Sequence, residues 1–276
     1  FGFVSSAKLV EQASIVAATA MGGDYGLSGH VESLESGAVA GLVKGLWLEV
    51  GFTTDWAFRT KIIDAPKSEP PDQIAAAMLR ELRAISFFVE IAYAGGRRYV
   101  TREMHEPVAP AAQNAPTPGR PWLITGGARG ITAAVARQLG ARFGVKLHLV
   151  GTSPRVEVDP AWRDLTPEGR KQLRAELAKQ AVAEKKVPAD AWHRVAKAIE
   201  IDKNLRDLEQ AGIPTVYHVA DVSDRAAMAT ILDRIRHSDG PIEGIVHGAG
   251  VESSCRFTKK NLDMVSRTVA AKVDGA

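Results

Sequence analysis

Cysteine is almost missing. Cys255 is the only one in 276 residues, which excludes a disulfide framework and any thiolate-rich zinc site. It fits a reducing compartment, so the expected location is cytoplasmic. The seven histidines fall at no metal-ligand spacing, and no metal site is expected. No apolar run approaches the roughly 20 residues of a membrane span, and no secretory leader is visible. Lys and Arg exceed Asp and Glu by only 35 to 32. The positive charges form no long run, so nucleic acid is not an expected partner. What is present is ordinary for a globular protein: 45% apolar and 24% charged residues, enough chain for one large or two modest domains. The chain starts at Phe1 rather than Met and stops inside a helical pattern at Ala276, which reads as an excerpt of something longer.

The clearest boundary is "EPVAPAAQNAPTPGR", 106–120. Its four prolines suit neither a helix interior nor a central strand, so a linker is expected. Before it, 1–105 reads as one α/β unit. Strands are expected at 13–21 and 57–64 and helices at 35–50 and 71–85, with a hairpin over 87–102 turning at Gly95-Gly96. After it, 121–276 reads as a second. Strands at 122–127, 145–153, 215–224 and 242–251 alternate with helices at 132–144, 224–240 and 261–276. A long helical stretch fills 160–211, opened by the Thr166-Pro167 pair and closed at Gly212 and Pro214. Strands joined by helical crossovers imply a doubly wound parallel sheet of Rossmann type, preceded by a smaller, Rossmann-like structural subdomain.

The informative stretch is "LITGGARGI", 123–131. A strand delivers Thr125; Gly126, Gly127 and Gly130 follow, and a helix opens. Glycines let backbone approach a pyrophosphate, and the helix N-terminus offers it free N–H groups. The strand-loop-helix context is the one a dinucleotide site has, so such a site is expected here rather than an ordinary βα turn. An NAD site would place a carboxylate at the end of the second strand. Here that end reads "LVGTSPR", giving Thr152, Ser153 and Arg155 with no acid, while Arg129 stands inside the glycine loop. Hydroxyls and cations suit a 2′-phosphate, so NADP(H) is the expected cofactor. Asp221 and Val222 close the third strand, where an acid can accept from an adenine amine or serve as a turn or cap. Gly248, Ala249 and Gly250 close the fourth, where small residues let a cofactor pass. His247 reads as packing at a strand end.

With TGGARGI, VADVSD, HGAGV and AAKVDGA in order, the second unit resembles the short-chain dehydrogenase/reductases. More narrowly, the chain resembles the ketoreductase domains of type I polyketide synthases and polyunsaturated fatty-acid synthases. "KVDGA" is typical of them, as is a truncated Rossmann-like subdomain upstream, and the helical insertion is like that of the lipid-type synthases. The resemblance matches Thr125, Gly126, Gly127, Arg129, Gly130 and Ile131 to the cofactor loop, and Thr152 and Ser153 to the 2′-phosphate contacts. It matches Asp221 and Val222 to the adenine pocket and Gly248, Ala249 and Gly250 to the run under the cofactor. It makes Lys272 the lysine of a Lys-Ser-Tyr-Asn tetrad whose other members would follow Ala276, so this portion alone is expected to be inactive. The implied reaction is reduction by NADPH of a 3-ketoacyl chain on an acyl carrier protein, among neighbouring synthase domains. A Leu-Asp-Asp fingerprint of stereochemistry would fall at Glu252, Ser253 and Ser254, and is absent. The alternative in another class is a reductase-like scaffold without catalysis. A second glycine loop, "GGDYGLSG" at 22–29, is set aside as a nucleotide site because Asp24 would repel phosphate.

Overall fold

The computed structural model describes residues 12–53, 57–107, 115–252 and 254–276. They fall into two compact units, 1–109 with 255–260, and 110–254 with 261–276. Residues 255–260, read from sequence as part of the second unit, group with the first, where both Glu49 carboxylate oxygens accept from the Phe257 N–H. Part of the proline-rich boundary, 108–114, and Ser253 of the missing stereochemical fingerprint lie outside the described residues.

The first unit runs β1 (Gln12–Thr19), α1 (Glu35–Thr53), β2 (Ala57–Asp64), α2 (Pro71–Arg83), β3 (Glu90–Ala94) and β4 (Arg97–Val100). The sheet order is β1-β2-β3-β4; the first three strands are parallel and β3-β4 is the expected hairpin. Side chains alternate across β2: Ile62 packs with Ala40 and Val43 of α1, and Ile63 with Ala77 of α2. Both faces of this strand are therefore covered. The second glycine loop folds around a carboxylate from the same strand. Asp64, fully buried, accepts from Thr19 Oγ1 and from the N–H groups of Met21, Gly23 and Tyr25 at 2.6–3.0 Å. The chain's own anion thus fills the cluster of N–H groups that a phosphate would need. Asp24 instead holds the local turn, accepting from the Gly26 and Ser28 N–H groups.

The second unit runs β5 (Pro121–Thr125), α3 (Gly130–Phe143), β6 (Lys146–Gly151), α4 (Pro167–Ala183), α5 (Pro188–Gln210), β7 (Thr215–Val219), α6 (Arg225–Asp239), β8 (Gly244–His247) and α7 (Leu262–Val269). Its sheet is wholly parallel in the order β7-β6-β5-β8, the doubly wound class read from sequence. On one face, Ile124, Leu147 and Leu149 pack with Ala136 of α3 and Ile201, Leu205 and Leu208 of α5. On the other, Leu123 and Val150 pack with Ile231 and Ile235 of α6.

Three readings change in detail. The helical stretch 160–211 is not continuous. Thr166 does cap α4, accepting from the Gly169 N–H, but the chain breaks over 184–187, where Lys185 has a positive φ and Pro188 restarts the helix. The second half of α5 is the crossover helix itself, buried on the sheet. β7 ends at Val219, so Asp221 and Val222 lie in the following turn. The last helix ends at Val269 and continues as a π-helical turn, Ala270–Asp274.

A polar pair sits in the α6 face. His148 Nδ1 and His218 Nε2 are 3.0 Å apart and both rings are buried; His148 Nε2 lies 3.2 Å from Asp239, which also pairs with Lys146. Burial, more than any neighbouring charge, pushes both imidazoles below the ordinary histidine value of 6.5. They are held neutral in the fold, whereas the unfolded chain takes up protons there as pH falls. Their contribution is therefore present above about pH 6.5 and lost on acidification. Thermal melts should show Tm falling below that pH. A His148→Leu/His218→Leu double variant should flatten that limb by up to about 1.4 kcal/mol per pH unit for each proton. An unchanged acid limb would assign the effect to other groups.

Candidate functional site

β5 is followed in the chain by β6 on one side of the sheet, while β8, reached last, lies on its other side. The direction of winding reverses between β5 and β8, and the crevice beyond their carboxyl ends is where ligands of open α/β sheets bind. A cavity of about 690 Å³ occupies that place, within the roughly 300–1,000 Å³ of small-molecule and cofactor sites.

The glycine loop forms its floor. The Gly126 N–H donates to Val150 O at 2.7 Å, and Gly126 has φ 73°. A Cβ there would sit 2.8 Å from the Gly248 carbonyl oxygen, so a side chain would wedge the ends of β5 and β8 apart. Gly126, Arg129, Gly130 and Ile131 all line the cavity. Gly127 does not. A Cβ on it would meet Ile124 and Leu149 at 2.8 and 2.9 Å, so its smallness serves core packing. Thr125 is also buried, beneath the floor. Its hydroxyl lies 2.9 Å from His247 Nδ1 and accepts from the Ala249 N–H at 3.3 Å, while His247 Nε2 lies 3.1 Å from Ala271 O. A carbonyl can only accept, so Nε2 donates to it; in the neutral ring Nδ1 then accepts from the Thr125 hydroxyl. The imidazole, read as strand-end packing, also ties the glycine loop to the π-helical turn.

Arg129 does not project free. Its Nε donates to Glu200 Oε2 at 2.9 Å, and Glu200 Oε1 accepts from the Gly130 N–H at 2.9 Å. Burial works to raise the Glu200 carboxyl, but the Gly130 N–H and Arg129 outweigh it and hold the group below the usual carboxylate range. One helical turn on, Asn204 Nδ2 donates to Ala128 O at 2.9 Å. Helix α5 thus grips three successive residues of the loop, and Lys197, one turn before Glu200, lines the same cavity. None of these α5 residues was singled out from sequence. Their signal is a polar stripe, Lys197, Glu200 and Asn204, flanking the buried Ile201, Leu205 and Leu208.

Thr152 and Ser153 line the cavity beyond β6, held by Tyr217, whose hydroxyl donates to Ser153 O at 2.7 Å. Arg155 faces away, in a separate groove with Leu205 and Glu209. Asp221 and Val222 line the cavity beyond β7. Asp221 Oδ1 accepts from Ser223 N–H and Oγ, bonds that lower its carboxyl against the counteracting effect of burial. The helix cap here is Asp224, which accepts from Ala226 and Ala227 N–H. Gly248, Ala249 and Gly250 form the wall beyond β8. Lys272 is exposed, outside the cavity lining, and lies along Gly250: a Cβ on Gly250 would be 2.9 Å from Lys272 Cε and 3.2 Å from Nζ. Among the described residues no cluster of three or more His, Cys, Asp or Glu is placed for a metal ion, and no helix is long and apolar enough to cross a membrane.

Fold and cavity together define a Rossmann-type nucleotide-binding class. Residues 121–276, more than half of the sequence, match the family described as KR domain, and the chain belongs to that family as a ketoreductase-type domain of the type I polyketide synthases. It is 27% identical over 281 residues to polyketide synthase PksL of Bacillus subtilis (strain 168), an alignment covering 97% of this chain but 5% of that protein. It is 41% identical over 68 residues to polyketide synthase ThaG of Burkholderia thailandensis, covering 24% of this chain and 1% of that one. In fold it is similar to A-type ketoreductases from a modular polyketide synthase, with TM-score 0.63 and 23% identity over 95% of this chain and 46% of that one. A ketoreductase domain from the bacillaene assembly line gives TM-score 0.58 and 22% identity, over 95% and 49% of the two chains. The chain therefore spans a small part of its curated relatives and under half of these solved structures.

Two glycine variants test the loop. Gly126→Ala combines positive φ with a collision against Gly248 and should lower stability by about 2 kcal/mol or more. Gly130→Ala, with φ 56° and open space around its Cβ, should cost only about 1 kcal/mol. Equal losses in denaturant titrations would mean that the β5–β8 approach is not what constrains the loop.

Proposed function

We propose that this chain is the nucleotide-binding portion of a reductase that uses NADPH to convert a 3-ketoacyl thioester on an acyl carrier protein to its 3-hydroxy form, as one domain of a multifunctional synthase. One observation carries the reading. Segments from four strand ends converge on a single cavity at the switch point, and they are the segments that a dinucleotide needs.

The walls suit the parts of that cofactor. In the first turn of α3, the Ile131 and Thr132 N–H groups have no intrahelical acceptor and are left for an anion. Thr152 and Ser153 offer hydroxyls, with no carboxylate at the end of β6 to favour an unphosphorylated ribose. Asp221 keeps Oδ2 to accept from an adenine amine, its Oδ1 being held by Ser223. Gly248, Ala249 and Gly250 give a low wall on the nicotinamide side. NADPH, when bound, supplies the hydride.

Lys272 brings a cation to the carboxyl end of β8. Held along Gly250, its ammonium favours the ionised form of a nearby phenol and so eases proton delivery to the developing alkoxide; it also offers donors to the nicotinamide ribose.

Titration of the chain with nicotinamide nucleotides should show NADPH bound more tightly than NADH. In the synthase that carries this chain, a 3-ketoacyl thioester should be reduced with loss of nicotinamide absorbance. Lys272→Ala should lower that rate about 100-fold while NADPH is still bound. A synthase that binds NADPH but leaves the thioester untouched would support the scaffold alternative. An unchanged rate in Lys272→Ala would remove this lysine from the chemistry.

A further inference from the structure

The glycine-loop arginine is the residue that the sequence nominates to read a 2′-phosphate, yet in the structure its charge is already met. Arg129 pairs with Glu200 at 2.9 Å, and the same carboxylate caps α3 through the Gly130 N–H. The pair is close to neutral from the cavity. Beside it stands Lys197, one turn earlier on α5, partly buried in the cavity wall. Among the described residues its ammonium has neither hydrogen bond nor ion pair, although it loses water to burial and lies within electrostatic reach of Arg129, both of which lower its pKa. Arg129 is also within reach of Tyr217, whose hydroxyl holds the backbone at Ser153. Lys197, Arg129, Tyr217 and the Thr152-Ser153 loop therefore share one end of the cavity, and the uncompensated charge there is on Lys197.

Resting on the dinucleotide reading above, we infer that Lys197 is a ligand of the nucleotide's 2′-phosphate, so that the helical insertion supplies the preference for NADPH over NADH. A partly desolvated cation with no partner is unfavourable until an anion arrives, and a phosphate monoester is the anion that distinguishes the two cofactors. Glu200 acts differently: by engaging Arg129 and capping α3 it positions the glycine loop, which both cofactors use. Charge at Lys197 thus bears on discrimination, and charge at Glu200 on binding of either nucleotide.

The test is titration of this chain and its Lys197→Met and Lys197→Arg variants with NADPH, NADH, 2′,5′-ADP and 5′-AMP. Circular dichroism verifies that each variant is folded. In Lys197→Met the Kd for NADPH and 2′,5′-ADP should rise about 10- to 100-fold, the range expected for one charge-assisted contact. NADH and 5′-AMP should change less than about twofold, and Lys197→Arg, which keeps the charge, should restore most of the loss. Equal weakening of all four ligands, or no change, would overturn the inference. So would an NADPH-selective loss in Arg129→Ala with none in Lys197→Met, which would return the role to the glycine loop. If the parent chain binds none of the four, the dinucleotide reading itself falls, and this inference with it.

Discussion

One carboxylate organises the glycine loop of the second unit. Glu200 bonds the first N–H of α3 and the Arg129 guanidinium, so a residue far along the chain closes the turn begun by Thr125 and Gly126. The ion pair is partly exposed, with 46% and 39% of its two side chains accessible, so its direct contribution is on the order of 1 kcal/mol. Its consequence is larger than its energy. Asn204 on the next turn fixes Ala128, and α5 cannot shift without moving the loop because Ile201, Leu205 and Leu208 are packed in the core against the sheet. Core packing sets the helix, the helix sets the carboxylate, and the carboxylate sets the loop.

The two units show what such a loop becomes when its N–H groups are answered differently. Both place glycines after a parallel strand, β1 at the edge of its sheet in the first and β5 inside its sheet in the second. In the first, Asp64 from the adjacent strand enters the loop and satisfies three backbone N–H groups at once. The anion is intramolecular and permanent, and the loop is structural. In the second, the internal carboxylate takes only the Gly130 N–H and leaves the rest of the first turn open to a cavity. The same backbone chemistry yields a filled strut in one case and an open cavity floor in the other, decided by where a single acid stands on a neighbouring element.

The class of fold was legible because parallel strands buried on both faces read as apolar runs, and Ile62-Ile63, Leu149-Val150 and Leu123-Ile124 are such runs. The place of the glycine loop between β5 and α3, at the edge of the cavity, was legible because glycines between a strand and a helix have few other uses. Element ends were less so. The residues at 220–224 keep strand-like character, but Asp221 and Asp224 draw backbone N–H groups into turn and cap. The π-helical turn over 270–274 has no signature in a pattern that continues at helical spacing. The polar stripe of α5 was least legible. Its spacing marks a helix face, but only the packing of that helix onto β6 shows that the face meets the glycine loop. Gly127 is the converse: inside the motif by sequence, it serves the core.

That π-helical turn joins the two ends of the site. Its widened ring carries the Ala270 carbonyl to the Gly275 N–H at 2.9 Å and leaves the Ala271 carbonyl for His247 Nε2. In the neutral ring His247 then accepts from Thr125, and Thr125 accepts from Ala249. Gly275, where a Cβ would strike Val222, brings the turn down onto the wall beyond β7. An ordinary α-helical turn would rotate the following residues relative to the sheet, withdrawing the Ala271 carbonyl from the imidazole and Lys272 from Gly250 together. The lysine's place at the end of β8 is therefore not a property of that side chain alone. It follows from a hydrogen-bond relay that begins in the glycine loop, so the loop and the lysine keep a common register.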